Sequence, residues 1–395
     1  TDFEECEGFD RPDMKLSENQ TALVSALAAA GRKIIFVFYG GAPVELPFFD
    51  RLNAMLNMLL PGMEGGEATA ALLYGEACPC GKLAESWPLC AQDASCAADY
   101  DKGSVSRYYE SIYVGYRFYD KAQTPLRFPF GYGLSYTSFS YNALAVREED
   151  GRLIVSAEIT NMGACAGAEI VQLYVTNAGS GVFKAEKELR AFAKVALAAG
   201  ETKPVTLSFP KSDLSYWNTD RHAWVLENGT YGICLAASSR DIRLTAEFTV
   251  SGEEEVPCPY PKAVRAGYAL PPAENPQSFP ALLGYRPPAE PPGTPVTLSS
   301  PLRDLKGSIL GRIIYAAVLG TVEKDYHRAL KMPPGLERDS ALKNSYFTVR
   351  LMPTLTIRAM AMSSDGKLSY SQACGLVELA NGHLLRGIRA MLRRD

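Results

Sequence analysis

The stretch AMLNMLLPGMEGGEATAALLY, residues 54–74, decides the fold of the first part of the chain. It opens with a short continuous apolar run, which is typical of a strand buried on both faces. A glycine-rich turn at residues 61–66 follows, and residues 67–74 have the composition of a helix. The order strand, turn and helix predicts parallel strand pairing, with ligands expected at the carboxyl ends of the strands.

The residues before this stretch show a related pattern. Ser17 and Gln20 form a capping-box signature that starts a helix, and Gly31 ends that helix. Residues 33–38 are another continuous apolar run, so we expect a second strand that is buried on both faces. Residues 1–135 are therefore predicted to form an α/β domain built on a parallel sheet.

Beyond residue 136 the hydrophobic period changes to two, which is typical of half-buried strands. The alternating apolar residues are Leu153, Val155, Ala157 and Ile159, then Val205, Leu207 and Phe209, and then Leu244, Ala246, Phe248 and Val250. Turn sequences at residues 149–151 and 227–229 separate the runs at hairpin-like spacings. This pattern predicts an all-β domain, a β-sandwich of immunoglobulin or fibronectin type, over residues 136–250.

The last part, residues 251–395, is predicted to be a proline-rich linker followed by a helical C-terminal extension. Repeated prolines in residues 256–301 cannot continue a helix or a central strand, so we expect a stiff, extended connector or a wrap. Apolar residues recur at helical spacing from Leu376 to Leu392, interrupted by the turn Asn381-Gly382. We expect this stripe to pack against the protein's own body, because one short basic helix is a weak membrane signal.

Composition excludes several classes of function. The 395 residues are 47% hydrophobic and 21% charged with a net charge of −4, as in a globular protein of roughly two to three domains, and give no electrostatic case for nucleic-acid binding. No apolar run of membrane-spanning length occurs, and the acidic first residues do not form a signal peptide. The odd number of cysteines, nine, predicts reduced thiols in a cytoplasmic setting rather than a disulfide framework.

No complete catalytic motif stands out, and neither a metal nor a cofactor is predicted. The chain has no HExxH, GxSxG, P-loop or paired CxxC. Cys78-Pro79-Cys80 lacks the spacing and the further ligands of a tetrahedral zinc site. The glycine turn at 61–66 could cradle a phosphate, but Glu64 and Glu67 stand where the anion would sit and would repel it.

A series of motifs does carry a resemblance. In order they are Glu7-Gly8-Phe9-Asp10-Arg11, Gly40-Gly41-Ala42-Pro43-Val44, residues 61–68 (PGMEGGEA), residues 81–88 (GKLAESWP), residues 109–120 (YESIYVGYRFYD) and residues 128–137 (FPFGYGLSYT). This series resembles the C-terminal α/β sandwich domain of family 3 glycoside hydrolases, the β-glucosidase and β-xylosidase group. The following β-sandwich resembles the fibronectin type III-like domain of that family, and the helical tail is similar to extensions of some bacterial members.

The resemblance implies a retaining β-glycosidase. In that family an aspartate nucleophile on an N-terminal (β/α)8 barrel, usually followed by tryptophan, attacks the anomeric carbon. A glutamate from the α/β sandwich domain protonates the leaving oxygen, and the two carboxyl groups must lie roughly 5–5.5 Å apart. None of Trp87, Trp217 and Trp224 follows an aspartate here. The barrel and its nucleophile are therefore expected to lie outside these residues, and the isolated fragment is expected to be inactive.

Glu7 matches the acid/base glutamate of the family. Such a residue needs a raised pKa while it meets substrate and a lower one once the glycosyl-enzyme has formed. The neighbouring Glu4 and Glu5 would raise the pKa of Glu7 by like-charge repulsion. Asp10 and Arg11 are interpreted as an ion pair that fixes the loop, because a permanently charged arginine cannot act as an acid. Cys6 stands where relatives often carry small or polar residues.

Other candidates receive a structural interpretation. Glu64 and Glu67 suit a helix start, and Glu110 suits a buried structural partner. The aromatic cluster, residues Tyr108, Tyr109, Tyr113, Tyr116, Phe118 and Tyr119, could stack on a sugar but equally suits core packing at a domain seam, so it is left out of the predicted site.

The expected partners follow from the resemblance. They are β-linked glucosides, xylosides or oligosaccharides and the N-terminal (β/α)8 barrel of the same polypeptide, with no nucleic acid and no membrane. A homo-oligomer stays open, and a cytoplasmic, bacterial location is expected. The alternative from another class is a non-catalytic module, in which the β-sandwich binds or supports polysaccharide and the α/β part is scaffold.

Overall fold

The computed structural model describes residues 10–11, 13–95, 97–100, 105–253, 257–272, 274–288, 295–366 and 368–393. They form two compact units, one from 14 to 288 and the other made of the described residues of 1–13 and 289–395. No helix in these ranges is long and apolar enough to cross a membrane.

The first unit begins with an α/β part in which helices and short strands alternate. Its elements are α1 (Glu18–Ala29), β1 (Ile35–Tyr39), β2 (Ala54–Leu59), α2 (Gly65–Leu73), β3 (Trp87–Pro88), α3 (Tyr116–Ala122) and β4 (Leu126–Phe128). The capping box of Ser17 and Gln20 is present at the start of α1. β1 and β2 pair in parallel. The predicted order of strand, turn and helix is thus confirmed.

The expectation that these strands are buried on both faces is wrong. In β1, Phe36 and Phe38 pack into a core with Phe48, whose ring lies 5.5 Å from that of Phe36. On the other face Ile35 and Tyr39 are exposed, and no side chain of β2 is fully buried. A parallel sheet is normally covered on both faces. Within the described ranges the second face of β1 lacks full cover, so a continuous apolar run was a poor guide to its burial.

The β-sandwich follows, and the predicted alternation is confirmed in its strands. They are β5 (Phe139–Glu149), β6 (Arg152–Asn161), β7 (Gly167–Thr176), β8 (Glu188–Leu197), β9 (Thr202–Pro210), β10 (Tyr216–Asn218), β11 (Ala223–Val225), β12 (Gly229–Ser238) and β13 (Asp241–Val250). One sheet has the order β5-β6-β9 and the other β13-β12-β7-β8, all antiparallel. Leu153 and Ile159 from the first sheet and Leu173 and Ile233 from the second are fully buried in one shared core.

A tight turn joins β5 to β6. Asp150 and Gly151 both have positive φ angles, 50° and 70°, which suits the twist of a two-residue hairpin and explains a glycine at this point. The turn sequence at 149–151 was therefore placed correctly as the end of one strand and the start of the next.

Residues 257–288 differ from a wholly extended connector. They contain α4 (Lys262–Gly267) and α5 (Phe279–Leu283) and belong to the first unit. Val264 and Tyr268 are buried in one cluster with Tyr113, and the Tyr113 hydroxyl donates to the carbonyl oxygen of Tyr268 at 2.7 Å. Proline limits regular structure locally, but aromatic contacts with the earlier part of the chain hold this segment in place. The predicted domain boundaries at 135 and 250 stay predictions.

The second unit is helical, as the sequence predicts. Its helices are α6 (Ile309–Leu330), α7 (Leu336–Leu351), α8 (Ile357–Ser363), α9 (Tyr370–Ala380) and α10 (Leu384–Met391). In α9 the apolar residues Leu376 and Leu379 are buried. In α10, by contrast, Leu384, Leu385 and Ile388 are exposed. The expected packing of the apolar stripe is therefore seen in α9 and in part of α10, where Met391 lies against Gly375 of α9.

Candidate active site

The predicted acid/base residue Glu7 lies outside the described residues, together with Cys6 and the rest of residues 1–9. Asp10 is exposed and Arg11 half-buried, and their expected ion pair stays a prediction. Met14 lies three residues after the motif, and its carbonyl oxygen accepts a hydrogen bond from the Glu45 backbone N–H at 2.8 Å. Glu45 lies between the buried Val44 and Leu46, so Met14 is tied to the core of the α/β part.

The carboxyl ends of β1 and β2, where ligands were expected, are built around Tyr39. Its hydroxyl contacts the hydroxyl of Thr69 and lies 3.3 Å from the carbonyl oxygen of Gly65, both in α2. The Thr69 hydroxyl donates to the same carbonyl at 2.7 Å. The backbone N–H of Gly40 donates to Leu59 at 3.1 Å, which joins the two strand ends. This edge is therefore held together by its own hydrogen bonds.

A glycine is required at one point of this edge by close packing. A Cβ atom on Gly65 would lie only 2.6 Å from the ring of Pro61. The glycine-rich turn at 61–66 thus lets the first turn of α2 approach the preceding proline. This packing accounts for Gly65 without a bound phosphate.

The carboxylates that the sequence weighed against Glu7 occupy structural positions. Glu64 is the N-cap residue of α2, without a capping hydrogen bond from its side chain, and Glu67 lies in the first turn. A carboxylate in that place complements the helix dipole. Glu110 is half-buried in the loop before α3. The prediction that Glu64 and Glu67 stand at a helix start is confirmed.

Glu85 is a carboxylate that the sequence analysis did not single out. Partial desolvation of its carboxyl group raises the pKa of Glu85 above the usual value. Burial, and then the charges of Asp93 and Glu85, also raise the pKa of Tyr119 to about 12. Glu85 belongs to the motif at residues 81–88, but the motif does not distinguish it as a site residue, because the fold brings it near these groups. Its side chain is itself exposed, and exposure weakens the case for a buried catalytic acid.

The aromatic cluster packs inside the protein. Of its residues, Tyr108 is exposed, whereas the others are buried. The ring of Tyr116 stacks on Phe130 at 4.9 Å, and its hydroxyl accepts from the Leu189 backbone N–H at 2.8 Å. Because Leu189 lies in β8, the cluster joins the α/β part to the sandwich. Core packing at a domain seam is therefore the better of the two interpretations weighed for it.

The same seam contains a cavity of about 160 Å³, lined by charged residues from both parts. Lys82 Nζ lies 3.0 Å from Glu169 Oε1 and donates to the Gly133 carbonyl at 2.8 Å. Arg243 forms its own pair with Asp241 at 2.7 Å. Since these four charges are paired with one another, the cavity has the character of a polar seam and not of a reactive centre.

The described residues contain no group of three or more histidine, cysteine or acidic side chains that could hold a metal ion. Cys78 Sγ lies 3.1 Å from the hydroxyl of Ser135, and Cys78 and Cys80 are both free thiols. Hydrogen bonding to a serine is an ordinary environment for a structural thiol.

The comparisons with known proteins agree with the motifs. Residues 1–136 match the glycosyl hydrolase family 3 C-terminal domain, and residues 169–239 match the fibronectin type III-like domain. The chain is 40% identical over 257 residues to thermostable beta-glucosidase B of Acetivibrio thermocellus, covering 64% of this chain and 34% of that protein. It is 39% identical over 250 residues to a beta-glucosidase of Kluyveromyces marxianus, covering 62% and 30%.

Solved structures give the same result. The Kluyveromyces marxianus beta-glucosidase in complex with glucose matches with a TM-score of 0.60 at 38% identity, over 62% of this chain and 30% of that one. DesR, a beta-glucosidase from Streptomyces venezuelae in complex with D-glucose, matches with a TM-score of 0.60 at 39% identity, over 62% and 32%. The chain therefore spans about a third of the length of the relatives it matches.

Proposed function

Because residues 1–136 match the C-terminal domain and residues 169–239 the fibronectin type III-like domain of glycoside hydrolase family 3, we propose that this chain is the acid/base half of a retaining β-glycosidase. The enzyme hydrolyses terminal non-reducing β-linked sugars, with glucose as the favoured sugar. The observation that carries the proposal is the Glu-Gly-Phe-Asp-Arg motif at residues 7–11, inside a region that matches this family domain.

Glu7 is the residue we assign as acid/base. In its protonated form it gives a proton to the glycosidic oxygen as the bond to the anomeric carbon breaks. As a carboxylate it then takes a proton from the water that attacks the glycosyl-enzyme. By like-charge repulsion, the sequence-adjacent carboxylates Glu4 and Glu5 would raise the pKa of Glu7 in the first step. The negative charge on the nucleophile is lost when the covalent bond forms, which lowers the pKa of Glu7 for the second step.

The nucleophile is an aspartate on an N-terminal (β/α)8 barrel of the same polypeptide. Among the described residues the cover of the α/β part is incomplete, which supports the presence of such a further segment. Several apolar or aromatic side chains are exposed on and just after the paired strands β1 and β2. They are Ile35 and Tyr39 on β1, Leu60 after β2 and Met63 in the glycine turn. Clusters of exposed apolar residues are typical of surfaces that another polypeptide segment covers.

The test is made on the longer enzyme that includes the barrel. Glu7→Ala should lower kcat on a β-glucoside with a poor leaving group by about 10²–10⁴-fold, which is the usual contribution of general acid–base catalysis. Azide should restore turnover of this variant on an activated aryl β-glucoside, because a small anion attacks the glycosyl-enzyme without the help of a general base.

Glu64→Ala is the matched control, since it removes a carboxylate from the helix start in the same domain. It should leave kcat and the azide response unchanged. Full unassisted activity of Glu7→Ala would show that Glu7 is the wrong residue.

The 395-residue chain by itself should fold and be silent on p-nitrophenyl β-glycosides. Activity of this chain alone would place a nucleophile within it and contradict the shared-site proposal. The second candidate function is a non-catalytic carbohydrate-binding or scaffold module. It predicts that the longer polypeptide keeps its activity when Glu7 is replaced.

A further inference from the structure

The chain has three tryptophans, and they differ sharply in environment. Trp87 is 2% exposed in the core of the α/β part, and its indole N–H donates to the Val44 carbonyl at 2.8 Å. Trp217 and Trp224 are 45% and 67% exposed on the sandwich. Large aromatic side chains normally bury most of their surface, so two exposed indoles in one place call for a physical explanation.

The two exposed indoles face each other on a small hairpin. Trp217 in β10 is the direct cross-strand partner of Trp224 in β11. Their ring centroids lie 5.7 Å apart with an angle of 75° between the planes. The two rings therefore form an aromatic corner that is open to solvent.

The hairpin beneath this corner is closed by its own hydrogen bonds. Asn218, 1% exposed, accepts hydrogen bonds from the backbone N–H groups of Asp220 and Arg221, each at 3.1 Å, and so closes the turn. Its amide nitrogen donates to the Tyr216 hydroxyl at 3.2 Å. Val225, on the inward side, is fully buried. A fixed support lowers the entropy cost of binding a ligand on the outer side.

The turn between the two strands carries exposed polar side chains. Asp220 and Arg221 are exposed in the turn that joins the two strands, and Arg221 forms an ion pair with Glu253. An apolar ring surface next to hydrogen-bonding side chains is complementary to a pyranose ring. Such a ring presents C–H groups on its faces and hydroxyl groups around its edge.

We propose that Trp217 and Trp224 form a binding surface for a β-linked glucan chain, at which a sugar ring packs on the indoles and its hydroxyls bond to the turn. The choice of a β-linked ligand rests on the proposed glycosidase function, whereas the binding of a sugar rests on the aromatic corner. A tryptophan pair also stabilises a hairpin by cross-strand contact. That role alone predicts no response to sugar.

The test uses the intrinsic fluorescence of the full 395-residue chain, titrated with cellohexaose. Because Trp87 is buried, an added sugar reaches only Trp217 and Trp224. The emission should shift to the blue and saturate as the sugar displaces water from the indoles. Maltohexaose, an α-linked glucan of the same length, should produce a smaller change.

Two variants separate sugar binding from hairpin folding. Trp224→Ala should weaken binding of cellohexaose by about tenfold, measured by calorimetry. Trp224→Tyr keeps an aromatic face and should retain most of the affinity, even if the hairpin is slightly less stable. Phe192→Ala is the matched control, because Phe192 on β8 is also 67% exposed on the same sandwich, and it should bind like the unchanged chain.

A lack of response to both sugars, or equal weakening by Phe192→Ala, would overturn the proposal. Binding of maltohexaose in preference to cellohexaose would overturn the β-linked ligand. None of these outcomes depends on hydrolysis, since the measurement follows binding to a chain that is expected to be silent. Failure here and failure of Glu7 as acid/base are thus distinguishable.

Discussion

The β-sandwich and the α/β part of the first unit bury the faces of their sheets in different ways. In the sandwich, sheets β5-β6-β9 and β13-β12-β7-β8 cover each other, so the inner face of each is buried by the other. In the α/β part, the parallel pair β1-β2 has one face in a core and the other with exposed side chains. Two facing antiparallel sheets complete their own core, whereas a parallel sheet depends on additional layers. We therefore expect the sandwich core, and the contacts of the sandwich with the α/β part, to contribute most of the free energy of unfolding.

The contact between the two regions centres on Asp120 in α3. This carboxylate is 2% exposed and lies 2.7 Å from Arg240 Nε and 3.1 Å from Lys187 Nζ, both in the sandwich. Arg240 also donates to the carbonyls of Tyr119 and Thr124, at 2.9 and 3.0 Å. One buried carboxylate thus fixes the end of α3 on the sandwich.

The largest effect is expected from breaking this contact. Asp120→Asn should lower the free energy of unfolding by about 3–5 kcal/mol, because Lys187 and Arg240 lose the buried negative charge that both of them face. Urea unfolding followed by far-UV circular dichroism measures the change. Glu149→Gln removes a carboxylate from the exposed pair with Arg147 and should cost less than about 1 kcal/mol. Equal effects of the two substitutions would mean that the seam does not hold the two regions together.

The next effect tests the sandwich core. Ile233→Ala removes a fully buried side chain of β12 and should cost about 2–5 kcal/mol through lost burial and the cavity left behind. Ile242→Ala, in the neighbouring strand β13, removes the same atoms from a partly exposed position and should cost less than about 1 kcal/mol. Thermal and urea unfolding measure both. Similar costs would show that the shared core is not the main source of stability.

Raising the pH should reduce the stability that buried tyrosines contribute in both regions. Burial raises the pKa of Tyr113 and Tyr268, at the seam, and of Tyr231, in the sandwich, to about 12. In the unfolded chain tyrosine ionises near pH 10. The unfolded state therefore loses protons first as the pH rises. The stabilisation from these groups is fully present below about pH 10 and is lost between about pH 10 and 12.

The measurement is a series of thermal melts from pH 9 to pH 11.5, with ionisation followed by absorbance at 295 nm. Tyr113→Phe removes an ionisable group at the seam, and Tyr231→Phe removes one in the sandwich. Each variant should show a smaller fall in melting temperature between pH 10 and 11.5 than the unchanged chain. A melting temperature that does not change between pH 10 and 11.5 would contradict the assignment of these tyrosines to buried sites.

The smallest effect is expected on the uncovered face of β1. Ile35→Thr should change the free energy of unfolding of this chain by no more than about 0.5 kcal/mol, because Ile35 is exposed. Ile34→Thr, one residue earlier, places a hydroxyl in the core and should cost about 1–3 kcal/mol. A large cost for Ile35→Thr would show that this face is already covered.

The two regions also differ in how well the sequence predicts them. Strand β6 was predicted from alternation alone, and Leu153 and Ile159 are buried as expected. The parallel pairing of β1 and β2 was predicted from the order of strand, turn and helix. The exposure of one face of β1 was not predicted, because an apolar run shows which side chains are present and not which layers cover them.

The candidate site shows the same limit. Glu7 was identified by a motif resemblance, and its role stays a prediction because the described residues begin after it. Glu85 and the pair Trp217 and Trp224 were not singled out as site residues. Their properties come from neighbours distant in sequence or from exposure, which a residue pattern does not contain.

By itself, the sequence determined the class of each region: the capping box of α1, the alternation of the sandwich strands and the helical spacing near the C-terminus. These are local properties, set by backbone preference and by the period of apolar side chains. Only the tertiary structure decided which faces are covered. It buried the aromatic cluster against β8, folded residues 257–288 onto Tyr113, and left Ile35, Trp224 and the leucines of α10 exposed. Burial depends on contacts between residues far apart in the chain, and no local pattern specifies them.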